Sequence, residues 1–97
     1  MYTSFRRYQV DPSNVDEIIR RVNEGFVPIV SSVAGFIAYQ CIDAGGGVVA
    51  TISVFEDKAG AEELTQKAAD WVRENLASLV SNPPEITAGE VKLHKMA

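Results

Sequence analysis

Between Val33 and Leu79 the chain lays down two strand-like segments, Gly35-Phe-Ile-Ala-Tyr-Gln-Cys-Ile-Asp43 and Val48-Val-Ala-Thr-Ile-Ser-Val-Phe55, split by Ala44-Gly45-Gly46-Gly47. Glycines between two apolar runs predict a hairpin, because glycine reaches the positive φ angles that tight hairpin turns require. Both segments are apolar almost without interruption, and a strand apolar on both sides needs cover on both. After Glu56-Asp57 the apolar residues Ala61, Leu64, Ala68, Trp71, Leu76 and Leu79 recur at helical spacing, with Glu62, Lys67, Asp70 and Arg73 on the outer face. That helix covers one face of the hairpin only.

The flanking segments complete the pattern. Residues 2 to 10 carry Tyr2, Phe5, Tyr8 and Val10 among polar residues, a strand-prone composition that Asp11-Pro12-Ser13-Asn14 stops. Ser13 or Asn14 is placed to cap a helix whose stripe is Val15, Ile18, Ile19, Val22 and Phe26, with Asp16 and Glu17 suited to its first turn. Gly25 and Pro28 predict a kink or break near Glu24 to Pro28, with the tail ending by Ser32. Asn82-Pro83-Pro84 ends the second helix, and Ile86 to His94 reads as a last strand. The order β-α-β-β-α-β defines an α+β, ferredoxin-like arrangement with an antiparallel sheet and both helices on one face, a single domain over residues 1–97. Two helices leave the second sheet face bare. A chain of 97 residues buries only roughly 60 to 70% of its unfolded surface, so a second copy stacked sheet to sheet, a dimeric α/β barrel, is the expected cover.

Composition excludes several function classes. A net charge of −4 with nine dispersed Lys and Arg does not suit nucleic acid or an anionic membrane surface. One cysteine permits no intrachain disulfide and fits a reducing cytoplasm. No apolar run approaches the roughly 18 to 20 residues needed to span a bilayer, and Arg6-Arg7 stand where a signal peptide needs its apolar core, so the chain reads as unprocessed and soluble. One His and one Cys without ligand-spaced carboxylates supply no metal site, and the glycine triplet lacks the context of a phosphate loop.

At Gly35-Phe36 with Tyr39, and at Ile52-Ser-Val-Phe-Glu-Asp-Lys-Ala-Gly-Ala-Glu-Glu63, the chain resembles the antibiotic biosynthesis monooxygenase-like group of the dimeric α/β barrel superfamily. The resemblance implies a homodimer with a pocket between sheet and helices. The group includes cofactor-independent oxygenases of aromatic polyketides or quinols, haem-degrading enzymes, and proteins of no known activity. Its haem-degrading members carry an Asn on the first strand, a Trp ending the third and a His on the second helix. Those places hold Arg6, Phe55 and roughly Thr65-Gln66 here, so an iron ligand on the second helix is absent and no cofactor is implied.

If Ala44 to Gly47 forms a four-residue loop, Asp43 pairs with Val48. Phe36, Ala38 and Gln40 then share a face with Val49, Thr51, Ser53 and Phe55, opposite Ile37, Tyr39 and Cys41. With the pocket where the resemblance puts it, the candidate lining is Gln40, Thr51, Ser53 and Phe55, with Arg6 from strand one and Trp71 from helix two. Each has an ordinary alternative. Thr51 and Ser53 suit any strand, Trp71 and Phe55 suit any core, and Arg6 suits a rim ion pair as well as a carboxylate or phenolate. His94 is the one side chain with an unperturbed pKa near neutrality, a candidate base three residues from the C-terminus. Two readings follow: a cofactor-independent monooxygenase acting on a small aromatic or quinol-type substrate, or a non-catalytic dimer of the same fold that binds a small ligand or a partner. The catalytic residues are not identified by the sequence.

Overall fold

The computed structural model describes all 97 residues. Four strands, β1 (Tyr2–Gln9), β2 (Phe36–Gly45), β3 (Val48–Phe55) and β4 (Glu85–Glu90), form one antiparallel sheet in the order β2-β3-β1-β4. Between β1 and β2 the chain runs through a 3-10 turn (Pro12–Asn14), α1 (Val15–Arg21), a π-helical turn (Val22–Phe26) and α2 (Val27–Ser31); α3 (Lys58–Asn75) joins β3 to β4. This is the α+β, ferredoxin-like order expected. The buried cluster unites Val49 and Phe55 of the sheet with Ile18, Val22, Phe26 and Val30 before β2 and with Leu64, Ala68 and Trp71 of α3.

Local chemistry explains each boundary. The first helical segment is capped one turn earlier than expected: Asp11, not Ser13 or Asn14, accepts from the Ser13 amide (2.9 Å), and Pro12 opens the 3-10 turn. At α3, the Asp57 carboxylate accepts from the Gly60 amide at 3.3 Å. The expected interruption near Pro28 takes the form of the π turn, in which the Val27 amide donates to Val22 O, five residues back. Pro28 has no N–H to give the ladder, and the wide turn absorbs that loss without breaking the rod.

The hairpin is tighter than predicted. Gly45 pairs with Val48, so the connection is Gly46-Gly47 alone, with φ of +62° and +83°, the positive pair of a type I′ turn. Residues removed from the loop reappear as two irregularities in β2, between Phe36 and Ala38 and between Asp43 and Gly45. Each adds one residue and reverses the alternation. Within that span Tyr39 lies opposite Ser53 and Cys41 opposite Thr51, while Gln40 lies opposite Ile52. The expected faces of Gln40, Tyr39 and Cys41 are therefore exchanged.

The face away from the helices carries Phe5, Ile52, Val54, Ala38, Gln40 and Ile42, with Arg7 paired to Glu85 at 3.7 Å. β4 ends at Glu90 rather than running on to His94, because its one partner, β1, runs out there: Tyr2 lies opposite Glu90, and the Val91 amide donates to Met1 O at 2.9 Å. Beyond it the tail is exposed, Leu93 to 91%. No helix is long and apolar enough to cross a membrane.

Candidate functional site

Alternation along the strands selects the side chains that meet the helices. β1 contributes Arg6 and Tyr8, β2 Tyr39 and Cys41, β3 Val49 and Thr51, and these form the floor of a cavity of about 30 Å³. The first helical rod roofs it with Ile18, Val22 and Phe26; α3 supplies Ala68, Trp71 and Val72, and the turns after α3 close the end with Leu76 and Val80. Phe26 bridges the two walls, its ring centroid 5.4 Å from Trp71 and 5.8 Å from Tyr39. Gly25, next to it on the π turn, is what lets α3 come so close: a Cβ there would lie 2.9 Å from Cζ2 of Trp71.

Two grooves flank the cavity. One, of about 300 Å³, shares Arg6, Tyr8, Ala68, Val72 and Val80 with it and is bordered by Ser81 to Pro84 and Ile86. The other, of about 440 Å³, shares Val22, Tyr39 and Cys41 and is bordered by Asp16, Arg20 and Asn23. The cavity alone has room for little more than a water, so an aromatic ligand occupies it together with a groove.

The polar groups are few. Arg6 is only 3% exposed; its Nη2 donates to Thr65 Oγ1 at 2.8 Å, and that hydroxyl donates to Ala61 O at 3.0 Å. Burial lowers the Arg6 pKa, with Tyr8 and Tyr39 opposing, but a guanidinium stays charged at any physiological pH. Burial raises the pKa of Tyr8 and, more strongly, of Tyr39, whose neighbours Cys41 and Tyr8 add to the effect while Thr51 and Arg6 oppose it. Both phenols are neutral donors at pH 7. Burial, then Asp43, raises the Cys41 thiol as well. The cavity thus combines one fixed cation, two phenols and a protonated thiol with no Asp, Glu or His in its lining. No group of three His, Cys, Asp or Glu comes together to hold a metal.

Of the residues singled out from the sequence, the cavity brings together Arg6, Thr51 and Trp71. Gln40 lies on the other face of the sheet, moved there by the irregularity at Ile37. Ser53 and Phe55 do face the helices, but both are fully buried and outside the cavity lining, Phe55 beneath Gly60 of α3. Ser53 lies opposite Ser4, and neither hydroxyl has a partner. His94 is exposed in the tail and lines neither cavity nor groove. Sequence reasoning missed Tyr8, whose position two residues from Arg6 was the available signal, and Thr65, whose tie to Arg6 spans 59 positions and left none. It placed Tyr39 and Cys41 on the wrong face.

No protein-family model matches the chain, and no curated protein matches its sequence. Solved structures do. A protein of unknown function from Nitrosomonas europaea is 22% identical with a TM-score of 0.82, over 99% of this chain and 93% of that one. The monooxygenase from the gene ActVA-Orf6 of Streptomyces coelicolor, solved with nanaomycin D, is 17% identical with a TM-score of 0.79, over 99% and 91%. The heme-degrader MhuD of Mycobacterium tuberculosis, solved with two hemes in its active site, is 15% identical with a TM-score of 0.75, over 99% and 100%. This chain has the fold of the antibiotic biosynthesis monooxygenase-like group.

Proposed function

We propose that this protein is a cofactor-independent monooxygenase acting on a small aromatic or quinol-type substrate, and that it works as a homodimer paired through the bare sheet face. The observation that carries the reading is the cavity between sheet and helices, walled by Phe26, Tyr39 and Trp71 and opening toward two grooves. The fold shared with a monooxygenase solved with nanaomycin D supports the substrate class. Ile42 and Ile37 exposed at 38% and 45% on the helix-free side of β2 and in its irregularity support the pairing. The single thiol suits a cytoplasmic site of action.

The chemistry asks little of the protein. In the oxidation of an anthrone-type methylene to a carbonyl, the substrate gives four electrons to O₂; one oxygen atom enters the product and the other leaves as water. The side chains have to bind and orient the ring, exclude water and favour the ionised substrate, and Arg6 is the group placed for the last task. Haem fits poorly: the cavity lining offers no His, and the positions facing it on α3 are Ala68, Trp71 and Val72.

The same lack of an internal base favours a second reading, a dimer of this fold that binds a small aromatic ligand without turning it over. Oxygen uptake across a panel of hydroquinones and anthrones separates the two. Catalysed uptake with stoichiometric quinone supports the enzyme; tight binding with uptake no faster than in buffer refutes it and leaves the binding protein. Native mass spectrometry of the same preparation tests the dimer.

A further inference from the structure

Five arginines are present in the chain, and four of them have a carboxylate close by: Arg7 with Glu85 at 3.7 Å, Arg20 with Glu17 at 2.6 Å, Arg21 with Glu17 at 3.4 Å, and Arg73 with Asp70 at 2.9 Å. All four pairs are at the surface. The fifth, Arg6, is the buried one, and no carboxylate reaches it. Neither the cavity nor the groove that it lines contains an Asp or Glu, and the Thr65 hydroxyl takes one of its five N–H donors. Around it stand Tyr8 of the same strand and Tyr39 and Cys41 of β2, all neutral at pH 7, and Arg73 at the groove's outer edge is already paired.

A buried charge without a partner is among the most costly features a small domain can carry, and replacing it with an apolar side chain of similar size relieves that cost. The place for a counter-charge is the cavity itself. We infer that the ligand of this site is a planar aromatic monoanion, its rings in the groove of about 300 Å³ against Tyr8, Val72 and Val80 and its anionic oxygen on the Arg6 guanidinium, where groove and cavity meet. This rests on the cavity being the binding site, as proposed above. Two sources give that chemistry, a ring carboxylate and an ionised phenol or enol, and in both the planar fork of the guanidinium meets the oxygen through charge-assisted hydrogen bonds. Thr65 is the positioning residue: by accepting from Nη2 and donating to Ala61 O, it holds the guanidinium at the junction of cavity and groove.

Four probes test the inference by calorimetry at pH 7: 1-naphthoate against its neutral isostere 1-naphthamide, and 2-hydroxy-1,4-naphthoquinone, ionised at this pH, against 1,4-naphthoquinone. At least one anion is expected to bind the wild type about tenfold to a hundredfold more tightly than its neutral counterpart, the range set by hydrogen bonds to a charged group; which anion it is identifies the source. Arg6→Lys, which keeps the charge and loses the fork, should retain part of the preference. Arg6→Met should abolish it while raising the melting temperature of the ligand-free protein, and Arg6→Gln provides a second neutral variant should the methionine not fold. Equal affinities within both pairs, or a preference that survives in the neutral variants, would overturn the anion assignment and leave the cavity reading standing. If none of the four binds, the cavity reading falls and takes this one with it.

Discussion

Gly25→Ala is the most direct probe of how the π turn shapes the cavity wall. The added Cβ would lie 2.9 Å from Cζ2 and 3.2 Å from Nε1 of Trp71, against an ordinary limit near 3.4 Å, so the indole has to give by about half an ångström. It is 9% exposed and packed against Phe26, which leaves the cavity as the one side with free space. Overpacking of this kind costs about 1–3 kcal/mol, while exchanging a helical glycine for alanine returns about 1 kcal/mol. The balance is a loss of about 0–2 kcal/mol, and for a chain of this length each kcal/mol is worth roughly 5 °C in Tm. Because Trp71 is the chain's one tryptophan, its fluorescence reports the shift without a label. Thermal unfolding of Gly25→Ala should therefore show an unchanged or lower Tm together with a displaced emission maximum. In Gly25→Ala/Trp71→Phe, measured against Trp71→Phe alone, the smaller ring should leave room for the methyl group and reveal the stabilisation expected of alanine. A Tm raised by about 5 °C in the single variant, with unaltered emission, would refute the contact.

Three further outcomes follow from the same geometry. Ile52→Asp, at the centre of the bare face between Phe5 and Gln40, puts a charge where a partner sheet would pack and should convert the proposed dimer to monomer in sedimentation runs; a wild type already monomeric at micromolar concentration would defeat the pairing. Tyr8 and Tyr39 have pKa values raised by folding, so their contribution to stability is complete below about pH 10, the unfolded tyrosine value, and is lost as pH rises through the folded values. Tm followed from pH 8 to 12 should begin to fall near pH 10, where unfolded tyrosines ionise while tyrosinate absorbance shows the buried phenols still protonated, and a flat Tm across that window would count against their burial. Cys41, half-buried and with a raised pKa, should react with iodoacetamide at pH 8 more slowly in the native protein than in denaturant, and more slowly still with 1-naphthoate bound; equal native and denatured rates would place the thiol outside the cavity.

Element order was legible because each element is written redundantly: the stripe from Ala61 to Leu76, Asp57 before it and the prolines at 83 and 84 after it all agree. Pairing was less so. Sheet alternation has a period of two, and a single added residue inverts it. The irregularity at Ile37 carries no glycine or proline to mark it, and Gly45, at φ +85° in the irregularity beside Ala44, reads as part of the loop, so the sequence alone turns Gln40 inward and Tyr39 outward. For Arg6 the face was readable, but its lack of a carboxylate was not, since that depends on every side chain around it. Nor was Thr65 readable, because its role depends on the docking of α3 over β1.

Counted residue by residue, the rod from Val15 to Ser31 contains one more residue than an α-helical path between its ends needs, and the π turn stores the excess. Deleting one exposed residue there, Asn23 for example, would restore ordinary winding while leaving both ends of the rod where the sheet holds them. It would also bring Pro28 against a carbonyl four residues back, a clash that the present turn avoids. Chain length, and not side-chain identity alone, is thus a variable that sets the cavity's aromatic wall: related sequences longer or shorter by one residue here would present Phe26 and Gly25 differently to Trp71 on an otherwise identical sheet.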